Sequence, residues 1–115
     1  EVNYEGQHHA IGQANNMFVF PGVGLGVLVS KARRVTQGMF LAAAEALAAS
    51  VTADQLNRGS LYPPITECRT VSHRVAHAVA AQACSEGMAA ASCVDIEGTI
   101  NATMWYPAYV PYRPA

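Results

Sequence analysis

Charged side chains are scarce in this chain: they make up 13% of its 115 residues, leave a formal net charge of −1 and include a single lysine, Lys31. Arg33 and Arg34 are the only adjacent basic pair. A nucleic-acid binder needs a basic stripe that displaces counterions from the phosphate backbone, so nucleic acid is excluded as a partner class. Long apolar runs are missing too. None approaches the roughly 20 residues that span a bilayer, and the N-terminus lacks the basic-then-apolar pattern of a signal peptide, so no membrane association is expected. Cysteine is rare. Cys68, Cys84 and Cys93 are odd in number and lack CxxC spacing, which points to free thiols packed as small hydrophobes in a reducing intracellular compartment, cytoplasmic or mitochondrial. There the Asn101-Ala102-Thr103 sequon stays unmodified.

What is present is apolar. The hydrophobic fraction is 51%, and a compact chain of this mass buries about two thirds of its extended surface, enough for a single domain. The shortage is of polar residues to cover that interior, so part of the apolar surface is expected to meet more protein, either the remainder of a larger chain or a second copy. Much of the excess is alanine, which favours closely packed helices over deep burial.

The segment Ile11 to Gly26, IGQANNMFVFPGVGLG, is the most informative. Met17 to Phe20 form a continuous apolar run, the pattern of a strand covered on both faces, and Pro21 and Gly22 are expected to stop it. Such a strand needs neighbours, and few candidates exist. Val2 to Tyr4 and His8 to Ile11 pair as a hairpin around Glu5, Gly6 and Gln7, with Gly6 in the turn. One central strand, a hairpin and several helices make a piece of a sheet domain. The sequence opens at Glu1 without an initiator methionine, and a fragment is the expectation.

Helix signals follow. Leu25 to Lys31 starts a short helix. Thr36 caps one from about Gln37 to Val51, with Gly38 in its first turn, and Thr52 caps a further turn ending at Gly59. Tyr62, Pro63, Pro64 and Ile65 force an extended link. Thr66 then caps a long helix ending near Glu86, with Gly87 as its stop. At about 100° per residue, Val71, Val75, Ala78, Val79 and Gln82 share its buried face, and His73 and His77 lie opposite. Asp95 to Met104 forms a last short helix despite Gly98, and residues 105–115 make a proline-spaced aromatic tail expected to lie on protein.

Candidate sites are few. Gly22, Gly24 and Gly26 invite a phosphate-binding reading because bare backbone lets a phosphate approach a helix N-terminus, yet the spacing departs from GxGxxG and no acidic residue ends a second strand about 20 positions on. Close helix packing is the plainer role. Asn15 and Asn16 carry carboxamides that can bind a carboxylate or a nicotinamide carboxamide without adding charge; they can equally satisfy local amides in a turn. His73 and His77 have the spacing of two zinc ligands, but Arg74 stands where HExxH needs glutamate, which favours a solvated helix face. His8 and His9 alternate across their strand, so at most one faces any given site. The tyrosines have no neighbouring base.

Taken in order, IGQANNMFVFPGVGLGVLVS, RRVT, AAAEALAASVT, GSLYPPI, RTVSHRVA and MWYPAYVPY resemble the C-terminal part of malic enzymes over nearly the whole chain. The GQ(A/G)NN segment leading into FPG and the later LYPP are the distinctive motifs. The resemblance implies an α/β fold, the C-terminal portion of a Rossmann-like NAD(P)-binding domain, helix-rich with one buried strand and a short hairpin. Its parts are hairpin, Asn pair and strand over 1–26, helices over 27–104 and the tail over 105–115. It implies oxidative decarboxylation of L-malate to pyruvate and carbon dioxide with NAD or NADP and Mn²⁺ or Mg²⁺, in an enzyme expected to be a homo-oligomer. Asn15 and Asn16 would contact malate, Asn15 also the nicotinamide end, while Gly22 and Gly24 remain weak cofactor candidates. The family's tyrosine, lysine, acidic metal ligands and glycine fingerprint match nothing here, so Tyr4 and Lys31 take none of those roles. The polypeptide alone should be inactive. A non-catalytic helical interaction module and a malolactic enzyme on the same scaffold are the alternatives.

Overall fold

The computed structural model describes residues 2–9 and 11–112. It corrects the first expectation, because the run Met17 to Phe20 is not a strand. The Asn15 side-chain oxygen accepts from Met17 N at 3.0 Å and caps a 3-10 turn over Asn16–Phe18. Helix α1, Phe20–Ser30, follows directly. Pro21 sits in the first turn of α1, where an absent N–H costs no hydrogen bond, so Pro21 and Gly22 open a helix instead of ending a strand. A short unbroken apolar run has no period and fits either element; here the proline position decides it.

The same helix explains its glycines. α1 crosses α4, Cys68–Ser85, at backbone contact. A Cβ on Gly22 would stand 2.6 Å from Val75 Cβ and 2.8 Å from the Ser72 carbonyl, and one on Gly26 would stand 2.7 Å from the Ala76 carbonyl. No side chain fits there. Gly24, on the outer face, has open space around it.

α4 is the spine. It begins after a 3-10 turn, Ile65–Glu67, so Thr66 lies inside that turn and does not cap α4 as expected. Val71, Val75, Val79 and Ala83 are fully buried against Phe18, Val23, Met39 and Ala43. Those partners come from the first 3-10 turn, from α1 and from α2, Gln37–Ala48. On the neighbouring side Ala76 and Ala80 meet Val29 and Ile100, the latter from α5, Ile96–Thr103. The expected wheel holds for its valines, while Ala78 and Gln82 are half-buried at its edge.

Local capping chemistry sets the remaining boundaries. Thr36 accepts from Met39 N, and Thr52 and Gln55 form a reciprocal capping box on α3, Ala53–Asn57. α2 stops three residues short of the expected Val51. At the end of α4, Gly87 has φ +65°, with Gly87 N bonded to Cys84 O and Met88 N to Ala83 O. This is the double bond of a Schellman stop. Asp95 accepts from Gly98 N and caps α5.

The only sheet among the described residues is the hairpin of β1, Val2–Tyr4, and β2, Gln7–His9, with Val2 paired to His9 and Tyr4 to Gln7. Glu5 and Gly6 both have positive φ, the two-residue turn that matches strand twist; β2 therefore starts one residue before the expected His8. Residue 10 of the expected second strand lies outside the described residues. The result is a helix-rich body with one antiparallel hairpin among the described residues.

Two further expectations change. Cys84 and Cys93 form a disulfide with Cα atoms 6.1 Å apart, and only Cys68 is free. The chain reverses at Gly87, and Ala90 N and Ala91 N both bond to the Ser30 carbonyl, returning Cys93 beside α4. Sequence spacing does not reveal that proximity, and the cysteines no longer argue for a reducing compartment. The tail leaves the body after Arg69 donates to the Trp105 carbonyl at 2.7 Å and lies over the Tyr106 ring. Apart from that anchor Trp105, Tyr109 and Tyr112 are exposed, so little of the described tail is covered by the described residues; residues 113–115 are outside the description.

The shape matches that surplus surface. The radius of gyration is 17.3 Å over a slab of 56 × 47 × 19 Å, against about 13 Å for a compact chain of this length. Phe20, Leu28, Phe40 and Leu41 are exposed on the helices. No described helix is long and apolar enough to cross a membrane.

Candidate functional site

Asn15 and Asn16 stand at the head of α1, both exposed. Each local reading of the pair is partly realised. The Asn15 carboxamide oxygen caps the 3-10 turn through Met17 N, which leaves its NH₂ group as a donor. Asn16 contributes its backbone carbonyl, accepting from Val19 N at 3.0 Å, and its side chain projects outward with no hydrogen bond among the described residues. The turn thus presents uncharged donors and acceptors at one edge of the helical slab. That chemistry suits a carboxylate or another carboxamide.

Sequence reasoning missed what holds this turn. Three contacts come from the Ser60–Cys68 stretch. The Phe18 ring, fully buried, lies 6.1 Å from the Tyr62 ring centroid at a tilt of 32°. The Cys68 thiol donates to the Met17 carbonyl at 3.4 Å across 51 positions of sequence. Gly12 lies so close that a Cβ would be 2.8 Å from Ser60 Oγ and 3.4 Å from Tyr62 N. Ser60 Oγ is itself held, donating to the Tyr62 carbonyl at 2.9 Å. Between the two stretches lies a cleft of about 370 Å³ lined by Ile11, Gln13, Phe18, Gln55, Arg58 and Pro64. The GSLYPPI motif was visible in the sequence, but its partner segment was not.

The glycine candidates are placed differently. Gly22 is buried on α4 and Gly24 faces outward, and no described strand leads into them. The two α4 histidines line one open groove with Glu97 but are held differently: His73 Nε2 is 3.0 Å from Asn101 Oδ1 and 3.4 Å from Glu97 Oε1, tying α4 to α5, whereas His77 is exposed. His73 is therefore not on a fully solvated face as expected. In the hairpin, His8 Nδ1 is 2.8 Å from Asn3 Oδ1. Among the described residues no three His, Cys, Asp or Glu side chains gather as a metal cluster.

One carboxylate is tuned. Glu86 titrates below its ordinary range, chiefly because Gln82 donates to it at 2.8 Å, then through a hydrogen bond from Thr36 and the charge of Arg34, with desolvation opposing. It faces the first turn of α2 at Gly38 and so ties the end of α4 to the start of α2.

With this geometry in place, the comparisons are specific. Residues 1–84 match the family described as malic enzyme, NAD binding domain. The chain is 43% identical over 114 residues to a chloroplastic NADP-dependent malic enzyme of Oryza sativa subsp. japonica, covering 97% of this chain and 18% of that protein. It is 44% identical over 112 residues to NAD-dependent malic enzyme 3 of Bacillus subtilis, covering 97% and 20%, and 43% identical over 104 residues to an NAD-dependent malic enzyme of Pseudomonas aeruginosa, covering 90% and 18%. The chain spans about a fifth of the length of these relatives. Since the family's NAD-binding domain matches most of its residues, the chain belongs to the malic enzyme family.

Proposed function

We propose that this chain is one part of an NAD(P)-dependent malic enzyme, which oxidises and decarboxylates L-malate to pyruvate and carbon dioxide, and that its contribution is a substrate-lining wall. The observation that carries this reading is the exposed Asn15-Asn16 pair at the head of α1 in a chain of this family. In it, Asn16 and the free NH₂ group of Asn15 hydrogen-bond malate carboxylate oxygens, and Asn15 borders the nicotinamide carboxamide.

The described residues do not fit the other parts of the reaction. They gather no acidic metal cluster and hold no strand, glycine loop and helix unit for a pyrophosphate, so Mn²⁺ or Mg²⁺ and the cofactor phosphates belong to other regions of the enzyme. No step through either is assigned to this chain. Its residues bind and orient, and the isolated polypeptide does not turn over malate. Exposed Phe20, Phe40 and Leu41 are covered by the remainder of the enzyme or by a second copy.

Two measurements test this. In the full-length enzyme, Asn15→Ala and Asn16→Ala each lower kcat/KM for malate more than tenfold, since a hydrogen bond to a charged group contributes about 1.5 to 3 kcal/mol. Wild-type kinetics in both variants refute the assignment. The polypeptide alone, given malate, Mn²⁺ and NAD(P), forms no reduced cofactor, and measurable turnover overturns the restricted role.

A further inference from the structure

We infer that Tyr62 is a positioning residue for malate binding, acting through the turn that carries Asn15 and Asn16. The inference rests on the reading of those carboxamides given above. A single 3-10 turn is weakly held by its own bonds, here Phe18 N to Asn15 O at 3.2 Å and Val19 N to Asn16 O at 3.0 Å. Its side chains at 15 and 16 are exposed, so their aim depends on what grips the backbone between them and α1.

The grip comes from the Ser60–Cys68 stretch. Tyr62 meets it twice, its ring against Phe18 and its backbone N–H and Cβ against Gly12, so it touches the chain on both sides of the asparagines. Cys68 adds the bond to the Met17 carbonyl, the residue whose N–H Asn15 caps. Ile11 and Gln13 line the open cleft and are both exposed, so Gly12 is the point of contact in that stretch. Tyr62 is only half-buried, and the glycine at 12 allows the approach of the two backbones. A ligand held by two carboxamides requires their placement within a fraction of an ångström, and loosening a support displaces them without touching the ligand.

The test is made in the full-length enzyme, from initial rates at varied malate and varied NAD(P), with folded fraction followed by circular dichroism. Tyr62→Ala raises KM for malate at least fivefold, moves KM for NAD(P) less, and Tyr62→Phe, which keeps the ring, restores wild-type values. Placed in an Asn15→Ala/Asn16→Ala background, Tyr62→Ala adds less than twofold. A second pair probes the same grip without removing the ring. Gly12→Ala raises KM for malate, and the added Ser60→Ala, which deletes the hydroxyl that the new methyl meets, brings it back. The inference is overturned if Tyr62→Ala lowers only the amount of active enzyme with KM for malate unchanged, or if its effect multiplies fully with that of the Asn15→Ala/Asn16→Ala pair. If Tyr62→Ala does not fold, the Gly12 pair decides, and a Gly12→Ala defect that Ser60→Ala fails to relieve overturns it. Should Asn15→Ala and Asn16→Ala keep wild-type kinetics, the carboxamide reading falls together with this inference. Should they lose malate use while Tyr62→Ala and Gly12→Ala do not, only the positioning role falls.

Discussion

The crossing of α1 and α4 and the turn that precedes α1 are neighbours in sequence and opposites in construction. At the crossing, Gly22 and Gly26 lay backbone on backbone against Ser72, Val75 and Ala76, with no room for a methyl group. In the turn, two carboxamides stand exposed over a short 3-10 element held by two distant contacts, with a third at Gly12 just before it. The first is closed and self-sufficient. The second is open and depends on its supports, as the proposed binding role requires: the rigid crossing fixes the helix, and the helix carries the pair at its head.

Inserting side chains breaks the closed region most severely. Gly26→Val forces a branched side chain into the Ala76 carbonyl and Val79, and destabilises the protein by about 3 kcal/mol or more, since overpacking commonly costs 1–3 and backbone cannot yield here. Gly24→Ala, two positions away on the outer face, has open space and gains helix propensity of roughly 0.5–1 kcal/mol. Thermal unfolding of the two variants checks the opposite signs; equal effects would mean that α1 does not ride on α4.

Smaller changes sharpen the contrast from the edges. Thr52→Ala removes the α3 capping box and costs about 1 kcal/mol, read in urea midpoints. The smallest effect concerns pH. Glu86 has its folded-state pKa lowered, so the stability it contributes is present above the ordinary carboxylate range and is lost as pH falls through its folded value. Glu86→Gln therefore flattens the acid limb of a stability-against-pH curve slightly and leaves neutral pH kinetics unchanged. A steeper acid limb in the variant contradicts the sign.

Sequence reasoning reached the elements whose determinants are local. Thr36, Thr52, Gly59, Gly87 and Asp95 act within four residues of themselves, and their boundaries were legible for that reason. The run Met17 to Phe20 was misread because an unbroken apolar stretch carries no period, and the true signal was Pro21 placed to begin a helix. Gly22 and Gly26 showed the right packing logic in the wrong element. The grip on the asparagine turn was illegible throughout, since Phe18 with Tyr62 and Met17 with Cys68 meet across some 40 to 50 positions that no spacing rule connects. The Cys84–Cys93 bridge was hidden likewise by the reversal at Gly87.

The central claim is that malate is held at the head of α1. Amide hydrogen exchange in the full-length enzyme, with NAD(P) present and malate added or withheld, reads this at the residues concerned. Exchange across 11–18 should slow at least severalfold on malate addition while the α1–α4 crossing, already protected, stays constant; unchanged exchange over 11–18 at saturating malate would contradict the claim.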